Sequence, residues 1–189
     1  MGEVCVEKYE TYPKQTYRNR CNILSANGVL PLSVPVQKNF HTPTKDIRID
    51  YSEMWQRSHC TALKSAYRNS AFYDYYFYKL ERFFEKKETF LVDLNEKILN
   101  TLFSILKIDA EWSFTADFVL EPDGFCDMRD CISPKSSKNK YDESFAPTPY
   151  IQVFCDRFEF VPNLSILDLL FNVGPESKAY LESCLKLNI

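Results

Sequence analysis

The chain has 189 residues, 26% of them charged, and a net charge of −3. With 45% hydrophobic residues and only four glycines, the composition excludes disordered, collagen-like and linker-rich proteins. The slight negative charge gives no general attraction to nucleic acid, whose partners usually carry a basic face, so we expect no nucleic-acid partner.

The first third of the chain has the pattern of a small β region. Residues 3–8, "EVCVEK", predict a short strand, and a second strand is expected from Lys14 onward. Asn27 and Gly28 form a dipeptide that is typical of tight hairpins, so the next strand should pair back on the one before it. In residues 37–50 the apolar residues recur at neither helical nor strand spacing, which predicts a surface loop.

Three helices are predicted next, because apolar residues recur at helical spacing. They cover residues 51–67, residues 71–87 and a segment that begins at Asp93. The second of these helices is unusually aromatic. Asp93 and Glu96 have the spacing of a capping box, so we expect Asp93 to cap the third helix.

The last third of the chain combines two short strands with two helices. Residues 113–120 and 150–154 alternate as strands do, and the polar, proline-rich segment 133–149 predicts a mobile loop. Ser165 should cap a helix that ends at Gly174, and a second helix should follow. These elements predict a single domain over 1–189 of the α+β or α/β class, with a small β-sheet region flanked by an aromatic-rich helical bundle.

The cysteines and the amino-terminal residues bear on location and cofactors. Seven scattered cysteines are an odd number in a chain too large to need disulfides, so we expect free thiols in the cytoplasm. The chain starts without a signal peptide, and no window approaches the roughly 18 apolar residues of a membrane span. Cys126 and Cys131 lack the second ligand pair of a zinc site, and no nucleotide-binding glycine motif is present. We therefore predict no metal and no cofactor.

Four segments carry a resemblance to a known family. They are "YPKQTYRNRCNILSANGVLPLSVPV" (12–36), "WQRSHCTALKSAY" (55–67), "YIQVF" (150–154) and "FVPNLSILDLLFNVGPES" (160–177). In content and order they resemble the WbqC-like family, a bacterial group found among surface-polysaccharide (O-antigen) biosynthesis functions. The resemblance implies a group-transfer protein that places an aminoacyl or other acyl group on a sugar.

The alternative is a non-catalytic binding or scaffold protein, or an inactive truncated family member. Members of the family begin with a further strand and an aromatic- and proline-rich turn, and this chain starts at "MGEVCVEKYE" without them. We therefore expect an amino-terminally short domain. The sequence leaves the oligomeric state open.

A local group of positive charges is the best candidate for a substrate site. In a strand, the period of two would place Lys14, Arg18 and Arg20 on one face. Arginine binds phosphate and carboxylate groups bidentately, which favours an anionic small molecule such as an activated sugar or an acyl donor. The alternative is a solvated face with an ion pair to Glu10. The predicted substrate-binding residues are Lys14, Arg18, Asn19, Arg20, Arg129 and Lys135.

His59 and Asp168 are the predicted catalytic residues. His59 follows Trp55 by four positions, and a histidine there can exchange protons near neutral pH as a general acid or base. The alternative is a core histidine satisfied by one hydrogen bond. Asp168 can project from its helix into a pocket, or it can complete a capping box with Ser165.

Overall fold

The computed structural model describes residues 4–37, 40–129, 131–134 and 144–186. Over these ranges the chain forms six strands and six α-helices around one hydrophobic core. The strands are β1 (Val4–Val6), β2 (Arg20–Ser25), β3 (Gly28–Ser33), β4 (Val36–Gln37), β5 (Arg48–Ile49) and β6 (Trp112–Phe114). The helices are α1 (Trp55–Tyr67), α2 (Tyr73–Leu80), α3 (Arg82–Glu85), α4 (Leu91–Leu106), α5 (Ile166–Val173) and α6 (Ser177–Ser183).

The described strands form three separate two-stranded sheets. β2 and β3 make an antiparallel hairpin, as the Asn27–Gly28 dipeptide predicts, but Ser25 pairs with Gly28, so the two turn residues are Ala26 and Asn27 and Gly28 begins β3. β4 pairs with β5 in antiparallel fashion, and β1 pairs with β6 in parallel. Small sheets with the helices gathered beside them make the fold α+β, which is one of the two predicted classes.

The helices pack through aromatic side chains, as the sequence predicts. Tyr67 of α1 and Tyr73 of α2 both contact Phe171 of α5, with ring centroids 5.2 and 5.1 Å apart. Tyr73 also stacks on Phe77, at 4.8 Å between centroids. Aromatic pairs at such separations add to the free energy of burial, so these rings hold the three helices together.

The amino-terminal part of the chain departs from the sequence predictions in two places. Residues 14–19 form a bend and a short 3₁₀ turn, because the Thr16 hydroxyl accepts from the Arg18 amide and caps the turn. The predicted strand from Lys14 is therefore wrong, and β2 begins only at Arg20. The prediction of a surface loop over 37–50 is also wrong, since Ile47 and Ile49 are buried in the core.

The helical segments begin and end differently from the predictions. α1 starts at Trp55, and the segment 71–87 contains two shorter helices, α2 and α3. α4 begins at Leu91 with no side-chain cap, so the predicted Asp93 cap is wrong. Asp93 lies instead in the first turn, where its charge is favourable to the helix dipole.

The carboxyl-terminal third confirms the two predicted helices, α5 and α6, and corrects two strands. The Ser165 hydroxyl caps α5 by accepting from the Leu167 amide at 3.4 Å, and α5 ends at Gly174. β6 covers only the start of 113–120, and residues 150–154 form irregular backbone. The predicted mobile loop over 133–149 falls largely outside the described residues and stays a prediction.

Two further properties of the described residues concern thiols and membranes. All seven cysteines lie within the described ranges, and each is a free thiol. In the described part of the chain, no helix combines the length and the apolar character that a membrane-spanning helix needs.

Candidate functional site

A cavity of about 270 Å³ lies where the β2–β3 hairpin meets α1, α2, α3, α4 and the start of α5. Its apolar wall includes side chains from α1, α2 and α4, namely Leu63, Leu80, Leu94, Ile98 and Leu102. Its polar side is formed by Arg18, Asn19, Arg20 and His59, which are only half-buried. The structure therefore brings four of the predicted site residues to one cavity.

Ser33 connects Arg20 with His59. The hairpin register pairs Arg20 with Ser33 across β2 and β3, and the Arg20 Nε donates to the Ser33 Oγ at 3.0 Å. The ring of His59, from the second turn of α1, makes a hydrogen bond with the Ser33 backbone. Among the described residues no carboxylate forms an ion pair with Arg20. Its terminal nitrogens can therefore bind an anion beside the imidazole.

The surroundings of His59 favour its neutral form. Burial lowers the pKa of His59 below its ordinary value of 6.5, and the hydrogen bond to Ser33 opposes that effect only in part. The ring packs edge-on against Trp55, with centroids 5.2 Å apart. A neutral imidazole at pH 7 can accept a proton, as a general base must.

Trp55 also lines the cavity and carries an unsatisfied donor. Its side chain is almost fully buried, and its indole N–H has no acceptor among the described residues. A buried donor without a partner costs free energy. The indole nitrogen is also inaccessible to a water molecule, so this donor is not the part of Trp55 that lines the cavity.

Arg18 and Asn19 line the cavity, but their side chains are engaged within the protein. The Arg18 guanidinium forms an ion pair with Glu10 and donates to the Thr16 hydroxyl at 3.0 Å. The Asn19 amide donates to the Val34 carbonyl at 2.8 Å. These contacts fix the turn before β2, which positions Arg20.

Lys14 and Arg129 do not line this cavity. Lys14 is exposed and lies beside a neighbouring depression that Asn19 and Arg20 also line. Arg129 makes a bidentate pair with Asp127 at 2.9 and 2.6 Å and donates to the carbonyls of Val119 and Leu120. These contacts hold together the two ends of the loop between residues 119 and 129. Lys135 lies outside the described residues, and the roles of all three stay predictions.

Asp168 is fully buried and does not line the cavity. Its carboxylate accepts from the Tyr67 hydroxyl at 2.7 Å, the Tyr150 hydroxyl at 2.6 Å and the Gln152 amide at 2.9 Å. Burial, together with the nearby Asp168 charge, raises the pKa of both tyrosines, so both remain protonated donors. The carboxylate thus connects α5 with α1 and with the segment at 150–152. Its catalytic role stays a prediction.

Two residues that contribute to the site, Ser33 and Trp55, were not predicted as site residues from the sequence. Counting outward from Asn27 and Gly28 as the two turn residues would pair position 20 with position 35. The structure turns at Ala26 and Asn27 instead and pairs Arg20 with Ser33, so the sequence pattern alone does not identify Ser33. Trp55 was named only as a helical neighbour of His59. Its unsatisfied indole N–H depends on side chains from distant segments, so no sequence signal reveals it.

Comparison with known proteins identifies the family. The model of the WbqC-like protein family matches residues 3–180. The chain belongs to the WbqC-like protein family. The uncharacterized protein Rv1507c of Mycobacterium tuberculosis (strain ATCC 25618 / H37Rv) is 30% identical over 197 aligned positions, which cover 92% of this chain and 84% of that protein. No solved structure matches the chain. The resemblance seen in four sequence segments is thereby confirmed, and the cavity lies within the WbqC-like region.

Proposed function

We propose that this protein is a cytoplasmic group-transfer protein of bacterial surface-polysaccharide biosynthesis, which places an acyl or aminoacyl group on a sugar. The observation that carries the proposal is the cavity in which Ser33 holds the Arg20 guanidinium beside the His59 imidazole. Membership of the WbqC-like family supports the polysaccharide context.

In this proposal the two residues have different roles. Arg20 binds the phosphate or carboxylate of the donor through its terminal nitrogens, because a guanidinium binds such groups bidentately. His59 removes the proton from a hydroxyl of the acceptor sugar, whose oxygen forms a bond to the acyl carbon of the donor. The bond between the acyl carbon and the donor's leaving group breaks, and His59 returns the proton to that leaving group.

A second candidate function is binding without catalysis. Two observations favour it: Arg18 is already paired with Glu10, and Asp168 is buried away from the cavity. His59 is then the only one of the two predicted catalytic residues that lines the cavity in the described part of the chain. A binding protein would use Arg20 in the same way but would not depend on the imidazole.

Paired variants at Arg20 and His59 separate the two functions. Activated sugars and acyl donors are first screened by thermal shift, since a ligand that binds only the folded state raises its stability. Arg20→Gln should weaken binding of an anionic ligand by roughly 10- to 150-fold, the loss expected for a charge-assisted contact. His59→Gln should bind normally but transfer the acyl group about 10²- to 10⁴-fold more slowly.

Arg157→Gln is the matched control, because Arg157 is exposed and lies outside the cavity. It should bind and react like the wild-type protein. Binding that is equally strong in Arg20→Gln would contradict the anion site. Normal binding without any transfer, in wild type and His59→Gln alike, would favour the non-catalytic function.

A further inference from the structure

We propose that the inner part of the cavity binds an unbranched alkyl or acyl chain whose anionic end lies at Arg20. The inference rests on the proposed function, because the chain would belong to the donor of the transferred group. Family membership does not specify the donor, whereas this inference specifies a donor that carries an alkyl chain. The residues that line the cavity, the lack of polar partners for water in its interior and its size all favour an alkyl chain.

The inner wall of the cavity is part of the hydrophobic core. Leu63, Leu80 and Leu94 line it and are nonetheless 1%, 4% and 2% exposed, so this wall lies deep in the molecule. Ile98 and Leu102 of α4 extend the same surface. The charged residues that line the cavity within the described ranges are Arg18 and Arg20, both on its half-buried side. The cavity is thus apolar inside and cationic at one edge.

Such an interior suits hydrocarbon better than water or sugar. A buried water molecule needs two to four polar partners, and leucine and isoleucine side chains provide none. A sugar ring placed there would leave its hydroxyls without hydrogen bonds, which is costly. An alkyl chain loses nothing by leaving water and removes apolar surface from it. The acceptor sugar should therefore bind outside the inner cavity.

Trp55 places the cavity next to the imidazole. Its side chain lines the cavity, and its ring contacts the His59 ring with centroids 5.2 Å apart. A chain in the cavity would therefore have its head group near the imidazole that the proposed function requires.

The volume of the cavity sets the length of the chain. Its 270 Å³ equals the space of about nine water molecules, at roughly 30 Å³ each. A methylene group is of similar size, so a chain on the order of eight carbons fills the cavity. Longer chains exceed this volume and should gain no further affinity.

Titration calorimetry with straight-chain alkanoates from acetate to dodecanoate tests the inference. Affinity should rise about fourfold for each added methylene and level off near about eight carbons, since burying a methylene is favourable by a nearly constant amount. A parallel series of alkyl phosphates shows whether carboxylate or phosphate is the preferred anionic end. Equal affinity for acetate and octanoate, or no binding of either, would overturn the inference.

Two substitutions in α4 provide a matched pair. Ile98→Phe enlarges a side chain that lines the cavity, so it should shorten the chain length at which affinity levels off. Ile105→Phe makes the same change two turns later, at a partly buried residue that does not line the cavity, and should leave the length dependence unchanged. If Ile98→Phe fails to fold, Leu102→Phe tests the same wall. Equal length dependence in cavity and control variants would contradict the proposed location.

Arg20→Gln distinguishes failure of this inference from failure of the proposed function. A uniform loss of affinity at every chain length, with the same slope per methylene, supports both. Anion binding that depends on Arg20 but not on chain length overturns the alkyl site and leaves the proposed function standing. Length-dependent binding that Arg20→Gln does not weaken supports the alkyl site and overturns the anion contact on which the proposed function depends.

Discussion

Asp168 is a buried carboxylate that hydrogen-bond donors, rather than a cation, stabilise. Two tyrosine hydroxyls and the Gln152 amide contact it, and no basic side chain of the described residues forms an ion pair with it. Tyr67 in turn accepts from the Leu24 amide at 3.1 Å. The carboxylate is therefore the centre of a network that joins α5, α1 and β2.

Asp168→Ala should strongly destabilise the protein. The substitution removes the acceptor of the Tyr67 and Tyr150 hydroxyls and of one N–H of the Gln152 amide, and each unsatisfied buried group costs about 1–3 kcal/mol. We expect a loss of at least about 3 kcal/mol in the free energy of unfolding, measured in urea. Asp156→Ala, at an exposed aspartate, is the control and should change stability little.

The same variants test the catalytic role that the sequence predicts for Asp168. Asp168→Asn keeps the volume of the side chain but loses at least one of the three accepted hydrogen bonds, so its stability should lie between those of wild type and Asp168→Ala. A variant whose urea unfolding midpoint equals that of the wild type, but which has lost acyl transfer, would contradict the structural role. That result would support catalysis instead.

At the scale of elements, the end of α5 depends on a glycine for two reasons. Gly174 has a φ of +67° and a ψ of −127°, a backbone conformation that side chains disfavour. A Cβ at this position would also lie 2.5 Å from the ring of Phe72, which precedes α2. The helix can thus end here and the ring can pack here only because position 174 has no side chain.

Gly174→Ala should therefore cost more than the backbone conformation alone explains. The sparsely populated φ/ψ pair accounts for about 1–3 kcal/mol, and the overlap with Phe72 adds about 1–3 kcal/mol. Gly124→Ala is the matched control, because Gly124 has a φ of +73° and open space around its Cβ position. Urea unfolding of both variants measures the difference, and equal losses would contradict the steric contribution of Phe72.

The elements that the sequence predicts well are those with a local cause. The β2–β3 hairpin at Asn27 and the Ser165 cap are determined by a few adjacent residues, and both appear in the structure. Residues 47–49 have no local period, because their partners are distant: the Leu91 amide donates to the Ile47 carbonyl, and the Ile49 amide donates to the Thr89 carbonyl. Local patterns cannot reveal such pairings.

The prediction of a strand at residues 150–154 was wrong for a related reason. The Gln152 side chain donates to the Val161 carbonyl at 3.0 Å and accepts from the Val161 amide at 2.9 Å. A side-chain amide thus makes the pair of hydrogen bonds that a neighbouring strand would otherwise make. Alternation of apolar residues predicts extended backbone, but it does not indicate which groups form hydrogen bonds with that backbone.

At the scale of the whole molecule, the candidate site depends on how separate segments meet. Charge and spacing identified Arg20 and His59 individually. Their meeting at Ser33 requires the hairpin register and the packing of α1 against that hairpin. The apolar cavity requires four further segments, so the sequence predicted the charged edge of the site but not its interior.

Two groups in different parts of the molecule make its stability sensitive to acid. Burial lowers the pKa of His59 below 6.5. For Glu7, burial acts in the opposite direction, but hydrogen bonds from the amides of Val119 and Tyr9 and from the Thr115 hydroxyl together lower its pKa below 4.5. In both cases the unfolded chain binds the proton more readily than the folded chain does.

We expect stability to fall in two separate steps as the pH decreases. For His59, the stabilising contribution is complete above pH 6.5 and is lost as the pH falls through the lower pKa of the folded state; for Glu7, the loss begins near pH 4.5. Urea unfolding at pH 8, 5 and 3 separates the two. His59→Gln should reduce the loss between pH 8 and 5 and leave the loss between pH 5 and 3 unchanged, whereas Glu7→Gln should do the reverse, so each variant is the control for the other. A His59→Gln protein that loses as much stability as wild type between pH 8 and 5 would show that the imidazole is not held in its neutral form, and His59 would then be a poor general base at neutral pH.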